Sequence, residues 1–289
     1  MITESPRDLG THSINVAETA SDSPTLIMFH GVTRRWQTFL PIVNELSIRH
    51  KLMMIDARGH GRSDRAPDGE YFVPNYISDG CELIERHTSG PVLLYGHSLG
   101  AMTVAGIASR LPDRVAAIVM EDPPLQTMGE RIGQTPLLGY FEGVSEYASD
   151  TRSVDEVARL LGEVTYADPQ TGQTYRAGDT RNAAQLRFAA SCVRRLDPAV
   201  FNSIVRARWL EGYDVDAVFS GLRCPSLLLQ ADYNAGGMLT DEDTAHVCGL
   251  NPNVGSVYFE GLPHGLHWTA TSQLLNTVLP FLESIQDSL

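Results

Sequence analysis

The chain has 289 residues, 43% of them hydrophobic, and its formal net charge is −13 at pH 7. This length and apolar content are enough to bury a full core, and they favour one domain with an insertion over two equal domains. Proteins bind nucleic acid and anionic membranes through Lys and Arg that neutralise phosphates. The negative charge therefore excludes these two classes of partner.

The sequence predicts no membrane or targeting segment, and its cysteines predict no metal or disulfide site. No stretch of about 18 apolar residues exists, so no membrane span is predicted. Residues 1–8 are polar and carry both signs of charge, unlike a signal or transit peptide, and we expect a cytoplasmic protein. The cysteines are widely spaced and include no C-x-x-C pair: Cys81, Cys192, Cys224 and Cys248. This spacing predicts buried free thiols rather than a zinc site or a disulfide framework.

Apolar runs and amphipathic stretches alternate through the first part of the chain. An edge strand is predicted over residues 11–20, and buried strands over 25–29, 52–55, 91–95 and 115–120. Helices are predicted over about 37–48, 75–87 and 99–110. Such alternation indicates a parallel sheet covered by helices on both faces. Ligands of these sheets bind at the carboxyl ends of the strands, which predicts a site near His30, Asp56, Ser98 and Asp122.

The pattern changes after Leu125. Up to Asp216 no buried strand is predicted, only helical stretches and a polar loop over 166–179, and we interpret this part as a helical lid. The alternation resumes with a strand over 226–230, a helix over 241–248, a strand over 254–259 and a helix over 273–285. We therefore predict an α/β core of residues 1–124 and 217–289, with a cap over 125–216.

The stretch Gly96-His97-Ser98-Leu99-Gly100 joins a short apolar strand to a helix. This order predicts a tight turn that thrusts the Ser98 hydroxyl outward. Gly96 and Gly100 have a mechanical reason to be glycine, because a Cβ at either position would collide with the opposite segment. A helix N-terminus favours negative charge beside it, so the turn suits an oxyanion. The alternative is a glycine-rich turn without chemistry.

Four segments together resemble the α/β-hydrolase family. They are, in the family's order, His30-Gly31, Asp56-x-Arg58-Gly59-His60-Gly61-x-Ser63, the turn at Ser98, and a late His264. The resemblance covers the chain except the lid. It implies an α/β-hydrolase fold, with a mostly parallel sheet, helices on both faces and a helical lid inserted after the sixth strand.

The resemblance also implies a histidine base. A serine hydroxyl becomes a good nucleophile only when a base removes its proton. His264 follows the last strand in a loop, where the family places that base. His267 competes for the role, but a packed or capping histidine is the favoured reading. His264-x-x-His267 has no third ligand cluster beside it in the sequence, so no metal site is predicted.

Two aspartates compete for the role of triad acid. Family members usually carry the acid after the strand matched here by residues 226–230, but this loop reads Ala231-Asp232-Tyr233-Asn234, with an amide where the aspartate is expected. An amide cannot stabilise an imidazolium as a carboxylate does. In a minority of the family the acid ends the preceding strand. Asp122-Pro123-Pro124 stands at that place and resembles the N-formylmaleamate deformylase-like members. We favour Asp122 over Asp232.

The remaining candidates surround the predicted nucleophile. The oxyanion hole is expected at the backbone N–H groups of Val32 and Leu99. Arg34 is a candidate ligand for a substrate carboxylate, against a solvated surface role, and Trp36 and His97 are further candidate substrate contacts. For Trp36 the alternative is packing at the helix start. Three residues are expected to fix loops rather than to catalyse: Asp56, Arg58 and His60.

We predict a serine hydrolase that acts on a small-molecule ester, lactone or amide through a Ser98-His264-Asp122 triad and an acyl-enzyme. A serine at this turn argues against epoxide hydrolases and haloalkane dehalogenases, which use aspartate. Two alternatives stay open: a lyase or cofactor-free dioxygenase, and a ligand-binding receptor. No cofactor is expected, and a homodimer is an open possibility. The lid contributes aromatic residues that predict a partly aromatic pocket: Tyr140, Phe141, Tyr147, Phe188 and Trp209.

Overall fold

The computed structural model describes residues 1–66 and 69–286, and an eight-stranded sheet lies at its centre. The strands are β1 (Ile2–Asp8), β2 (Ser13–Thr19), β3 (Thr25–Phe29), β4 (Lys51–Ile55), β5 (Val92–His97), β6 (Val115–Glu121), β9 (Ser226–Ala231) and β10 (Val254–Phe259). Their order is β1-β2-β4-β3-β5-β6-β9-β10. The β1–β2 and β2–β4 pairs are antiparallel and all other neighbours are parallel. The predicted fold class is confirmed.

Helices cover both faces of this sheet. Those outside the segment between β6 and β9 are α1 (Leu40–Leu46), α2 (Val73–His87), α3 (Leu99–Arg110), α10 (Asp241–Leu250), α11 (Leu266–Thr269) and α12 (Thr271–Gln286). Alternate residues of β3 join different cores: Ile27 and Phe29 pack with residues of α2 and α3, whereas Leu26 and Met28 pack with residues of α1 and α12. Because both faces are buried, the central strands are continuous apolar runs. None of the described helices has the length and apolar character needed to cross a bilayer.

The N-terminal part of the fold differs from the prediction. The strand predicted over residues 11–20 exists as β2, but it is not the edge, because β1 pairs along its outer side. The edge strand β1 is half-exposed and polar, so it carries no apolar run that could reveal it. The helix predicted over 37–48 is split into a 3₁₀ turn over Trp36–Phe39 and α1, with Pro41 in the first turn of the α-helix.

The chain between β6 and β9 is largely helical. It contains α4 (Leu137–Ser145), α5 (Val154–Glu163), α6 (Ala177–Thr180), α7 (Ala183–Val193), α8 (Val200–Val205) and α9 (Val215–Ser220). The predicted polar loop over 166–179 includes a hairpin of β7 (Thr165–Ala167) and β8 (Thr174–Arg176). Helix α9 spans the predicted boundary at residues 216 and 217, and it packs against α3 and α10 of the core. We call residues 125–214 the cap segment.

The turn between β5 and α3 depends on two close backbone approaches. A Cβ on Gly96 would overlap the carbonyl oxygen of Gly100, and a Cβ on Gly100 would overlap the carbonyl oxygen of Phe29. The predicted mechanical reason for both glycines is therefore confirmed. Helix α3 can sit this close to β3 and β5 only because these positions carry no side chain.

We expect Gly96→Ala to lower the free energy of unfolding by about 3 kcal/mol, because the added methyl group meets backbone atoms that cannot move separately. Urea denaturation followed by circular dichroism measures this change. The matched control is Gly249→Ala in α10, where an added Cβ meets open space. That substitution is expected to stabilise the protein by roughly 0.5 to 1 kcal/mol. Equal effects at the two positions would contradict the steric argument.

Candidate active site

Ser98 occupies the turn between β5 and α3 with a strained backbone. Its φ is 57°, a left-handed value that is uncommon for a residue other than glycine. The amide of Ser98 donates to the carbonyl of Glu121 at 2.9 Å, which ties the turn to the end of β6. The side chain lines a cavity between the sheet and the cap segment. Strain of this kind is concentrated at functional sites, where the surrounding structure holds it.

Asp122 and His264 form a close pair beside Ser98. The Nδ1 atom of His264 lies 2.6 Å from Oδ2 of Asp122, which is fully buried. The same carboxylate accepts three backbone N–H bonds, from Ala231 at 3.2 Å, Met238 at 2.8 Å and Leu239 at 3.3 Å. With Nδ1–H donating to Asp122, Nε2 of His264 carries the lone pair. A histidine held in this way can accept a proton from a neighbouring hydroxyl.

The competing acid, Asp232, has a different set of partners. Its carboxylate accepts from the backbone amides of Asn234 and Gly261, both at 2.9 Å. The bond from the Gly261 amide is the main reason why the pKa of Asp232 lies below its usual value. The geometry thus brings Asp122, and not Asp232, to the ring of His264. Asp232 instead fixes the loop that precedes His264.

His97 and His267 lie directly behind His264. The ring centroids of His97 and His264 are 4.5 Å apart, and those of His97 and His267 are 4.8 Å apart. Burial lowers the pKa of His97 well below its usual value, so this ring is neutral. Its Nε2–H donates to the carbonyl of His264 at 3.1 Å. His97 lines the cavity, as expected of a substrate contact. Its Nε2–H, however, donates to the protein and not to a substrate.

His267 contacts Glu121 rather than Asp122, with Nδ1 at 2.8 Å from each carboxylate oxygen. Together with His97, these residues bring three potential metal-ligand atoms within 4.8 Å of one another. The sequence did not reveal this grouping, because Glu121 ends an otherwise apolar strand and only His264-x-x-His267 was visible. The Nδ1 atom of His267 and both carboxylate oxygens of Glu121 are already engaged in hydrogen bonds with each other.

The expected oxyanion donors lie on two sides of Ser98. Leu99 is the first residue of α3, so its N–H has no acceptor within the helix. Val32 follows β3 and lines the same cavity. The loop around Val32 is held because the next amide, that of Thr33, donates to Nε2 of His60 at 3.3 Å. Burial and the nearby His30 lower the pKa of His60 to about 3, so its ring is neutral and can accept this bond.

The residues expected to fix loops do so. Asp56 is buried and accepts from the backbone amide of Trp36 at 2.8 Å and from that of Arg62 at 3.0 Å. Arg58 forms a two-point ion pair with buried Asp79. Trp36 does not line the cavity, contrary to its candidate role as a substrate contact. Its side chain packs in the core with α1 and α12, because the bond to Asp56 holds its backbone there.

The cavity has a volume of about 600 Å³ and joins the sheet to the cap segment. Among the described residues that line the cavity, the charged side chains are those of Arg34 and Arg181, and none is Asp or Glu. Neither arginine has a carboxylate within 4 Å in residues 1–66 and 69–286. The guanidinium of Arg181 lies over the ring of Tyr140, 4.5 Å from its centroid. The cavity is therefore positively charged in a chain of net charge −13.

Aromatic residues form much of the cavity wall. Those that line it are Tyr140, Phe141, Tyr166, Tyr175, Phe188 and Trp268. Three of the five predicted aromatic residues are thus present, whereas Tyr147 and Trp209 are not among the lining residues, and Trp209 is fully buried. The prediction missed Tyr166 and Tyr175 of the hairpin and Arg181, which follows α6. In the sequence, the sign of the two tyrosines was the polar stretch that contains them.

A family model described as alpha/beta hydrolase fold matches residues 24–270. The 2-(acetamidomethylene)succinate hydrolase of Mesorhizobium japonicum is 37% identical over 115 residues, which are 40% of this chain and 41% of that protein. The match thus spans less than half of that relative. The N-formylmaleamate deformylase of Pseudomonas putida is 23% identical over 243 residues, covering 84% of this chain and 82% of the relative.

The crystal structure of an E-2-(acetamidomethylene)succinate hydrolase superposes with a TM-score of 0.74 at 22% identity. The match covers 98% of this chain and all of that one. At this identity the superposition shows a shared fold.

We expect Asp122→Asn to slow the reaction of Ser98 with a fluorophosphonate by about a thousandfold or more, because the amide leaves the imidazolium of His264 without a carboxylate. Mass spectrometry of the intact protein over time measures the rate. Asp232→Asn is the matched control and should change the rate less than threefold. A larger loss in Asp232→Asn than in Asp122→Asn would reverse the assignment. Thermal denaturation of both variants checks that they fold.

Proposed function

Because the chain belongs to the α/β-hydrolase family, as its motifs predict, we propose that it is a serine hydrolase that cleaves an ester, lactone or amide of a small carboxylate-bearing molecule. The observation that carries this proposal is the 2.6 Å contact between buried Asp122 and His264, which lines the same cavity as Ser98. Glycine-flanked Ser98 supplies the nucleophile, His264 the base, and Asp122 the charge that orients the base.

The first half of the reaction acylates Ser98. Nε2 of His264 takes the hydroxyl proton while Oγ of Ser98 attacks the carbonyl carbon of the substrate. The negative charge that develops on the carbonyl oxygen is stabilised by the N–H groups of Leu99 and Val32. The tetrahedral intermediate collapses as His264 returns the proton to the leaving alcohol or amine. The buried Asp122 carboxylate stabilises the imidazolium between these two proton transfers.

The second half of the reaction hydrolyses the acyl-enzyme and releases the carboxylic acid product. A water molecule gives a proton to Nε2 of His264 and attacks the acyl carbon. The second tetrahedral intermediate uses the same two backbone donors, and it collapses when Ser98 leaves and regains its proton. The products are a carboxylic acid and an alcohol or amine, or a single hydroxy acid from a lactone. No group outside the chain and water is needed for the proton and electron balance.

The charge of the cavity supports a substrate that carries a carboxylate. Arg34 and Arg181 are the charged lining residues, and arginine binds carboxylates through paired N–H donors. The names of two relatives, a substituted succinate hydrolase and a maleamate deformylase, also denote substrates with carboxylate groups. An anionic substrate would gain the attraction of both arginines on entering a cavity that has no acidic side chain among its described lining residues.

We expect the wild-type protein to form one covalent adduct with a fluorophosphonate, because the reagent traps an activated serine. Intact-protein mass spectrometry measures the adduct, and Ser98→Ala and His264→Ala should both lose it. Hydrolysis of 4-nitrophenyl esters should be lost in the same two variants. A folded wild-type protein that forms no adduct and hydrolyses no ester would contradict the proposal and favour lyase or receptor roles for this site.

We expect Arg34→Gln and Arg181→Gln each to raise KM for 4-nitrophenyl hydrogen succinate by roughly 10-fold to 100-fold, the loss of one charged hydrogen bond. The neutral ester 4-nitrophenyl butyrate should be affected less than threefold. Steady-state kinetics with the two esters give this comparison. Arg187→Gln is the matched control, because Arg187 is exposed on α7 and pairs with Asp155 at the surface. Equal effects on the anionic and neutral esters would contradict the carboxylate assignment.

A further inference from the structure

A second histidine–carboxylate pair lies beneath the first. Glu121 ends β6 and Asp122 follows it, whereas His264 lies in the loop after β10 and His267 lies three residues later in α11. Each carboxylate holds one histidine: Asp122 contacts His264, and Glu121 contacts His267. The mechanism proposed above uses only the first pair. The second pair is completely enclosed, because Glu121 is 0% and His267 1% exposed.

The Glu121 carboxylate is anchored by the sheet and binds the loop at two atoms. It accepts a bond from the hydroxyl of Tyr95, which lies on the neighbouring strand β5. It also accepts from both the backbone N–H of His267, at 3.0 Å, and the ring Nδ1–H of His267, at 2.8 Å. Burial opposes ionisation of Glu121, but contact with His267 and the bonds from His267 and Tyr95 lower its pKa to about 2. Glu121 is therefore a charged anchor inside the core.

These bonds restrain the backbone that follows the catalytic ring. The carbonyl of His264 accepts from His97 at 3.1 Å, and the amide of His267 donates to Glu121. The segment from 264 to 267 is thus attached to the ends of β5 and β6 at two points. Because His264 itself is joined to Asp122 through its side chain alone, the direction of its ring depends on where this segment is held.

The network continues to the cavity wall. Nε2 of His267 lies 2.9 Å from the hydroxyl of Thr38, and Nε1–H of Trp268 donates to the same hydroxyl at 3.0 Å. Because Nδ1–H of His267 donates to Glu121, Nε2 of His267 accepts a hydrogen bond from the Thr38 hydroxyl. The His267 ring, the Thr38 hydroxyl and the Trp268 indole N–H thus all have hydrogen-bond partners. Trp268 in turn lies against Phe188 of the cap segment, with ring centroids 5.1 Å apart. Both aromatic rings line the cavity.

We propose that His267, anchored on Glu121, is a positioning residue that aims His264 at Ser98 and, through Thr38, fixes Trp268 in the cavity wall. The inference rests on the proposed function, because it assigns His267 a role in positioning the catalytic base. It predicts two separable effects. Loss of the bond to Glu121 disturbs the base and lowers kcat, whereas loss of the bond to Thr38 disturbs the wall and raises KM.

The test compares three variants in the hydrolysis of 4-nitrophenyl hydrogen succinate. His267→Leu removes both side-chain bonds of His267 and keeps its backbone N–H bond to Glu121. We expect kcat and the rate of fluorophosphonate labelling to fall about 10-fold to 100-fold, since small misplacements of catalytic groups cost this much. His267→Asn keeps a donor near the Nδ1 position and should recover most of kcat, with a raised KM. Thr38→Val should raise KM about three-fold to ten-fold, with a smaller change in kcat.

The matched control is His50→Leu. His50 is also fully buried, and its Nδ1–H donates to the carbonyl of Leu46 at the end of α1. We expect this variant to lose thermal stability while keeping kcat and KM within twofold. Should His267→Leu fail to fold, Glu121→Gln replaces it, since the amide keeps an acceptor oxygen for His267 but removes the charge. For this variant we expect about a tenfold loss of kcat.

The proposal is overturned if folded His267→Leu, or Glu121→Gln in its place, keeps wild-type kcat and labelling rate, or if His50→Leu loses as much kcat. It is also overturned if Asn and Leu at position 267 give the same kcat. These results are distinct from failure of the proposed function itself, in which Ser98→Ala would retain the hydrolytic activity of the wild type.

Discussion

The site depends on the absence of two side chains. Gly96 and Gly100 let the backbone of α3 approach β3 and β5 so closely that a Cβ at either position would overlap a carbonyl group. This approach holds Ser98 at a positive φ and points the N-terminus of α3 at the cavity. Asp122 at the end of β6 also has a positive φ, of 46°. The surrounding sheet holds both residues in these strained conformations.

Buried charge is the second constraint. Two carboxylates occupy consecutive positions at the end of β6, and both are removed from water. Each is tolerable because it has several hydrogen-bond donors: backbone amides and His264 for Asp122, Tyr95 and His267 for Glu121. Because β6 ends at Glu121 and the backbone of Asp122 turns away at a φ of 46°, the two carboxylates can bind different histidines. The enclosed polar network therefore depends on the backbone at the end of β6 as much as on residue identity.

The mostly parallel sheet, most of its strands along the chain and the positions of Ser98, His264 and Asp122 after strands could be predicted, because these follow from local apolar runs and the residues that end them. Other features depend on contacts between distant segments. The edge strand β1 is half-exposed and has no apolar run, and the backbone bond between Trp36 and Asp56 places a predicted contact residue in the core. Arg181 reaches the cavity only because of the way the cap segment packs. The local sequence has no hydrophobic periodicity that predicts this packing.

The hairpin of β7 and β8 forms a sheet of its own, separate from the eight-stranded one. It nevertheless supplies Tyr166 and Tyr175 to the cavity wall, and their rings stack with centroids 5.7 Å apart. In the proposed function, part of the wall that meets the ligand therefore belongs to a different structural unit from the sheet whose strand ends position Ser98 and Asp122. Substitutions in the hairpin would alter this part of the wall without changing the strands that position the reactive groups.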